Sequence, residues 1–127
     1  MLLYKAHMDK PTLVIGASPN PSRFSHRAVE DLVHFNYTVF AVGLRDGEIE
    51  GIPIQKPFPV LPEIHTVTLY VGIRNQPFYY DFIISLKPRR VIFNPGSENE
   101  EFEKQLESMG AEVVRGCTLV MLYNGSF

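Results

Sequence analysis

Small turn-forming residues follow a short apolar run and end at a cation in Val14-Ile15-Gly16-Ala17-Ser18-Pro19-Asn20-Pro21-Ser22-Arg23. Of all stretches in the sequence, this one is best suited to hold an anion. Gly16 lets the backbone approach a ligand closely, Ser18 and Ser22 offer hydroxyls, and Arg23 offers a planar charged fork. With a strand before Gly16 and a helix after Arg23, a phosphate at residues 16–23 meets unpaired helix N–H groups and the positive end of the helix dipole. The same residues also read as a plain tight turn from strand to helix. Glycines of the dinucleotide fingerprint G-x-G-x-x-G would fall at 18 and 21, where this chain has Ser18 and Pro21. After the next apolar run, Gly43-Leu44-Arg45 stands before Asp46, so the acidic ribose partner of NAD sites is displaced. An arginine there suits a ribose that carries a phosphate. An exposed turn accounts for Arg45 equally well, and Arg74 is a second candidate for such a phosphate.

The other reactive side chains are dispersed. His26 falls in the first turn of the expected helix, within reach of a ligand as a base or a phosphate donor, but no nucleophile accompanies it, and a solvated helix residue is the simpler reading. His34 and His65 have no ligand spacing to each other, so no metal site is expected. Cys117, the single cysteine, excludes an internal disulfide framework and a cysteine zinc cluster. Near the end of the last strand it is either within reach of a ligand or a buried, inert thiol. Glu98, Glu100, Glu101 and Glu103 suit a helix N-terminus better than paired catalytic carboxylates. No residue is assigned a catalytic role.

Elements that would position the loop follow from periodicity. Thr12-Leu13-Val14-Ile15 is apolar without alternation, as a strand buried on both faces requires. Ala28, Val29, Leu32 and Val33 share one helical face, with Ser22 or Ser25 as the expected cap and Asn36 as a left-handed stop. Residues 37–42 form the second strand, completing a βαβ unit. Glycines and prolines between 43 and 62 forbid a long helix, leaving room for a small edge strand at 52–54. Residues 65–71 give a third main strand. Asn75 then caps a helix with Pro77 in its first turn and Phe78, Tyr79, Phe82, Ile83 and Leu86 as its stripe. Residues 90–93 form a strand, Ser97-Glu98-Asn99-Glu100 has capping-box spacing, and Phe102, Leu106 and Met109 make the helix that follows amphipathic, with Gly110 closing it. Residues 111–114 complete the strands, and 118–122 is too short to assign by period. Short apolar strands alternating with helices predict an α/β fold: a doubly wound, mainly parallel sheet of five to six strands with helices on both faces, in three layers.

At 127 residues the chain suits one domain, residues 11–127, behind an N-terminal extension, residues 1–10. Twelve basic and fourteen acidic side chains argue against a nucleic-acid or membrane-surface binder, which needs a concentrated basic face. No stretch is long and apolar enough for a signal peptide or a membrane span, and with the lone cysteine this makes a cytoplasmic setting the expectation.

The loop at 14–23, the strand ending Val42-Gly43 and the segment Asn94-Pro95-Gly96-Ser97-Glu98-Asn99-Glu100-Glu101 together resemble the stand-alone coenzyme A-binding domain proteins. The same fold forms the N-terminal, CoA-binding part of succinyl-CoA synthetase α subunits. The resemblance implies a Rossmann-like domain binding coenzyme A or an acyl-CoA. It would place Gly16, Ala17, Ser18, Pro19, Ser22 and Arg23 beside the phosphates, Val42 and Gly43 on the adenosine side, and Pro95 and Gly96 in the neighbouring loop. Arg45 or Arg74 would meet the ribose 3′-phosphate. Family members often have asparagine and proline after the second strand, where this chain has Gly43 and Leu44. The phosphorylated histidine of the synthetases belongs to a domain this sequence does not contain, so none of its histidines inherits that role. The implied function is a small carrier, sensor or regulatory module. The alternatives are an NADP- or acyl-CoA-dependent enzyme and a protein-interaction module, and a protein partner or homo-oligomer is compatible with each.

Overall fold

Runs of four buried residues build the middle of the sheet. In the computed structural model, which describes residues 7–127, the strands are β1 (Thr12–Ile15), β2 (Val39–Val42), β3 (Glu48–Ile49), β4 (Ile52–Gln55), β5 (Thr66–Leu69), β6 (Arg90–Phe93) and β7 (Glu112–Arg115). Every residue of β1, β5 and β6 is buried, so the alternating threonines of β5, Thr66 and Thr68, lie in the interior with the apolar residues between them. The order is β3-β4-β2-β1-β5-β6-β7, parallel throughout except for the antiparallel β3-β4 pair. Two-residue β3 brings the count to seven, one above the expected upper bound. It is too short to leave a periodic trace, and it forms because Gly51, at φ 79°, turns the chain back on itself.

Helices cover both faces. Helices α1 (Phe24–His34) and α4 (Thr118–Asn124) lie on one side, where Val29, Leu32 and Leu122 pack on Val14, Ala41 and Ile92. Helices α2 (Tyr80–Leu86) and α3 (Glu100–Ser108) lie on the other, where Ile83, Phe102 and Leu106 pack on Leu13, Ile15, Val67 and Leu69. Alternate residues of each strand therefore serve opposite layers.

Three local expectations are revised. Pro77 does not sit in the first turn of an α-helix capped by Asn75. It lies inside a 3-10 helix, Ile73–Tyr79, that starts from Gly72 and runs into α2, because proline cannot join the i to i−4 ladder. The cap of α3 is Asn99, not Ser97. The Asn99 side chain accepts from the Phe102 N–H (3.1 Å), and the Glu103 carboxylate accepts from the Asn99 N–H (2.8 Å). Neither Ser22 nor Ser25 caps α1, whose N-cap is Arg23. Of the expected N-terminal extension, residues 1–6 lie outside the described residues. Asp9 accepts hydrogen bonds from the N–H and hydroxyl of Thr38, at 2.9 and 2.6 Å. No helix among the described residues is long and apolar enough to cross a membrane.

Candidate functional site

Strand order reverses at β1, whose neighbours β2 and β5 leave it in opposite directions along the sheet. The loops that follow these strands must diverge there, and a crevice opens at their carboxyl ends. A cleft of about 850 Å³ occupies that position. The loop after β1 forms its floor, with Gly16, Ala17, Ser18, Pro19 and Arg23, and the adjoining walls contain Gly43, Arg45 and Arg74.

The floor is fixed by backbone contacts that only glycine allows. The N–H groups of Gly16 and Ala17 both donate to the Val42 carbonyl at 3.0 Å. Gly16 has φ 92°, and a Cβ there would lie 2.7 Å from the Tyr70 carbonyl oxygen. A Cβ on Gly43 would collide with the Ala17 carbonyl. Val42 is thus a fully buried support beneath the loop and does not line the cleft. Ser22 turns away, its hydroxyl donating to the Asn20 side chain at 2.8 Å. Pro95 and Gly96 are exposed and also lie outside the lining.

Helix α1 begins at the cleft with its positive end unanswered. Arg23 makes no side-chain cap, and the first turn has no acidic residue. Among the described residues, the lining includes three arginines and no carboxylate. Asp46, beside Arg45 in sequence, is held 3.4 Å from the Lys56 ammonium. The tyrosines that line the cleft add no charge: burial pushes the Tyr70 and Tyr79 hydroxyls above their ordinary range. Such a site attracts an anion through N–H groups, dipole and guanidinium forks together.

His26 holds the loop rather than facing the cleft. It is 8% exposed, and its Nδ1 lies 2.9 Å from the Ser18 carbonyl. Because a carbonyl only accepts, Nδ1 bears the proton. Cys117 is half-buried at the N-cap of α4, outside the cleft.

Aromatic residues escaped the reading of strand ends. Phe24 and Phe78 line the cleft while 67% and 59% exposed. Phe78 was expected on the buried stripe of its helix. The 3-10 start rotates it outward, where it packs against Phe58 with ring centroids 5.0 Å apart. Tyr70 and Val71 also line the cleft, one step before the Gly72 junction. No sequence signal marks them, because exposure depends on how the adjoining helix is turned.

Residues 10–123 match the CoA binding domain family. The chain belongs to that family. A crystal structure of an uncharacterized protein is similar at 46% identity, covering 95% of this chain and all of that one, with a TM-score of 0.92. A protein from Thermus thermophilus shares 23% identity over 94% of this chain and 91% of its own, with a TM-score of 0.81. The dinucleotide-forming acetyl-coenzyme A synthetase 1 of Korarchaeum cryptofilum, in complex with phosphate and ADP, superposes at a TM-score of 0.69 and 18% identity. That likeness covers 84% of this chain and 25% of the synthetase. The curated proteins contain no match. For this CoA binding domain the two more distant likenesses establish the Rossmann-like fold, while the family match bears on the ligand.

Proposed function

We propose that residues 11–127 form one unit that binds coenzyme A or an acyl-CoA, as a small carrier, sensor or regulatory module in the cytoplasm. The observation that carries this reading is the uncapped N-terminus of α1 opening into a cleft with three arginines and no carboxylate among the described residues. A molecule with a pyrophosphate and a separate ribose phosphate fits that charge distribution. The pyrophosphate lies on residues 16–19 and Arg23, and the 3′-phosphate meets Arg45 or Arg74. The base rests on the apolar rim of Leu44 and Phe78. Family membership supports the same ligand.

A thermal shift with CoA, NADP and NAD in parallel tests it. Selective binding to the native state raises stability by about 2.7 kcal/mol at a hundred times Kd, so CoA should give the largest shift. A shift with NADP alone would turn the reading to an NADP-dependent enzyme, and no shift with any ligand would favour an interaction module. In calorimetry, Arg23→Ala should lose roughly 1–3 kcal/mol of CoA affinity, the range for a charge-assisted hydrogen bond. Unchanged affinity removes Arg23 from the site.

A further inference from the structure

Behind the cleft lies a buried polar chain outside its lining. Val71, Gly72, Arg74 and Asn75 form the cleft wall at the end of β5, and the next residue, Gln76, is completely buried. Gln76 Nε2 donates to the Val71 carbonyl (2.9 Å) and to the Ser97 carbonyl (2.6 Å). Its Oε1 accepts from Asn99 Nδ2 at 2.8 Å. One amide thereby ties the wall after β5 to the loop after β6. Asn99 extends the chain: Nδ2 also donates to the Tyr80 hydroxyl (2.7 Å), and its N–H donates to Glu103, which accepts from Arg115 Nε at 2.8 Å.

Both N–H groups of the Gln76 amide are used, so neither loop can shift without stranding a buried donor or carbonyl. Of the residue types near Gln76 in size, none reproduces this: a glutamate would face two carbonyl oxygens, and a leucine would remove the donor from the Val71 and Ser97 carbonyls and one of the two acceptors of Asn99 Nδ2. Arg74 stands two residues before Gln76, so the height at which its guanidinium leaves the wall is set by this tie. We propose that Gln76, held by Asn99, is a positioning residue for the anion cleft, fixing the backbone from which Arg74 reaches a ligand phosphate. The inference rests on the CoA reading of the cleft.

Calorimetry with CoA on the wild type, Gln76→Ala, Arg74→Ala and the double variant tests it. Gln76→Ala should bind CoA about ten-fold more weakly, the size expected of a residue acting through a coupled network. In that background, Arg74→Ala should cost clearly less than in the wild type, because the guanidinium is already misplaced. The salt dependence of CoA affinity should flatten in Gln76→Ala as it does in Arg74→Ala. A purely structural role predicts a lower Tm with CoA affinity, additivity and salt dependence unchanged, and that result overturns the proposal. Should Gln76→Ala fail to fold, Asn99→Ser decides: serine keeps the α3 cap but loses the amide donor, so it too should weaken CoA binding and flatten the salt dependence. A wild type that does not bind CoA overturns the reading of the cleft and this inference with it. A wild type that binds CoA, alongside variants that bind equally well, overturns only the role of Gln76.

Discussion

Gly16 is the residue on which the closeness of the cleft loops depends. Its left-handed φ disfavours any side chain, and a Cβ would press on the Tyr70 carbonyl, which is backbone and has little room to yield. Conformational strain of about 1–2 kcal/mol adds to that overlap. Gly16→Ala should therefore destabilise the domain by roughly 2–4 kcal/mol, within the range for strain at special backbone positions. Urea unfolding checks this, and a loss under about 0.5 kcal/mol, the size of an ordinary surface change, would mean that the loop simply shifts. At this scale much of the cleft was legible. Gly16, Ser18, Arg23, Gly43, Arg45 and Arg74 follow apolar strand runs, and a parallel sheet puts such residues at one edge. Phe24 and Phe78 were not legible, since an aromatic at helical spacing reads as core until the orientation of its helix is known. Nor was the Gln76 tie, which joins residues more than twenty positions apart.

Helices α1 and α3 show what an unanswered N-terminus costs. Asn99 and Glu103 satisfy the start of α3, and three acidic residues occupy its first turn. Helix α1 has neither, although Arg23, at φ −82° and ψ 141°, has the extended backbone an N-cap requires. Arg23→Ser should thus stabilise the ligand-free domain by about 1 kcal/mol through a new cap, while CoA affinity falls by roughly 1–3 kcal/mol as the charged fork is lost. Thermal denaturation and calorimetry on one variant separate these signs. Loss of both stability and binding would show that Arg23 serves the fold rather than the ligand. Periodicity located the helices, but their starts escaped it. Ser97 precedes Glu100 at capping-box spacing, whereas the acidic partner of Asn99, Glu103, stands four residues on, and only the turn closed by the Ser97 hydroxyl on the Asn94 carbonyl, 2.7 Å, commits Asn99 to the helix. Helix α4, at seven residues, is too short to show a stripe.

Across the whole molecule the sheet separates two electrostatic poles. The cleft lies at the carboxyl ends of the strands, and His65 lies at the other end of β5, one strand length of roughly 13 Å away. The cleft end was legible in the order of strands and loops, but the cations that gather at the other end were not, because Lys10 and the adjacent Arg89 and Arg90 come from separate segments. Burial, followed by Arg90, Lys10 and Arg89, holds the His65 imidazole below its ordinary pKa of 6.5, against the single opposing charge of Glu112. The unfolded chain therefore takes up this proton more readily than the native one, and the lower the pH, the more the unfolded state gains. Stability should be constant with respect to His65 above pH 6.5 and decline as pH falls below that value, levelling off once the native imidazole is itself protonated. His65→Gln should flatten the decline in Tm relative to wild type in that window. Because His65 is remote from the cleft, the same substitution should leave CoA affinity at neutral pH unchanged. An equal pH slope in both proteins would refute the assignment of the decline to His65. A change in CoA affinity would show that the two ends of the sheet are coupled.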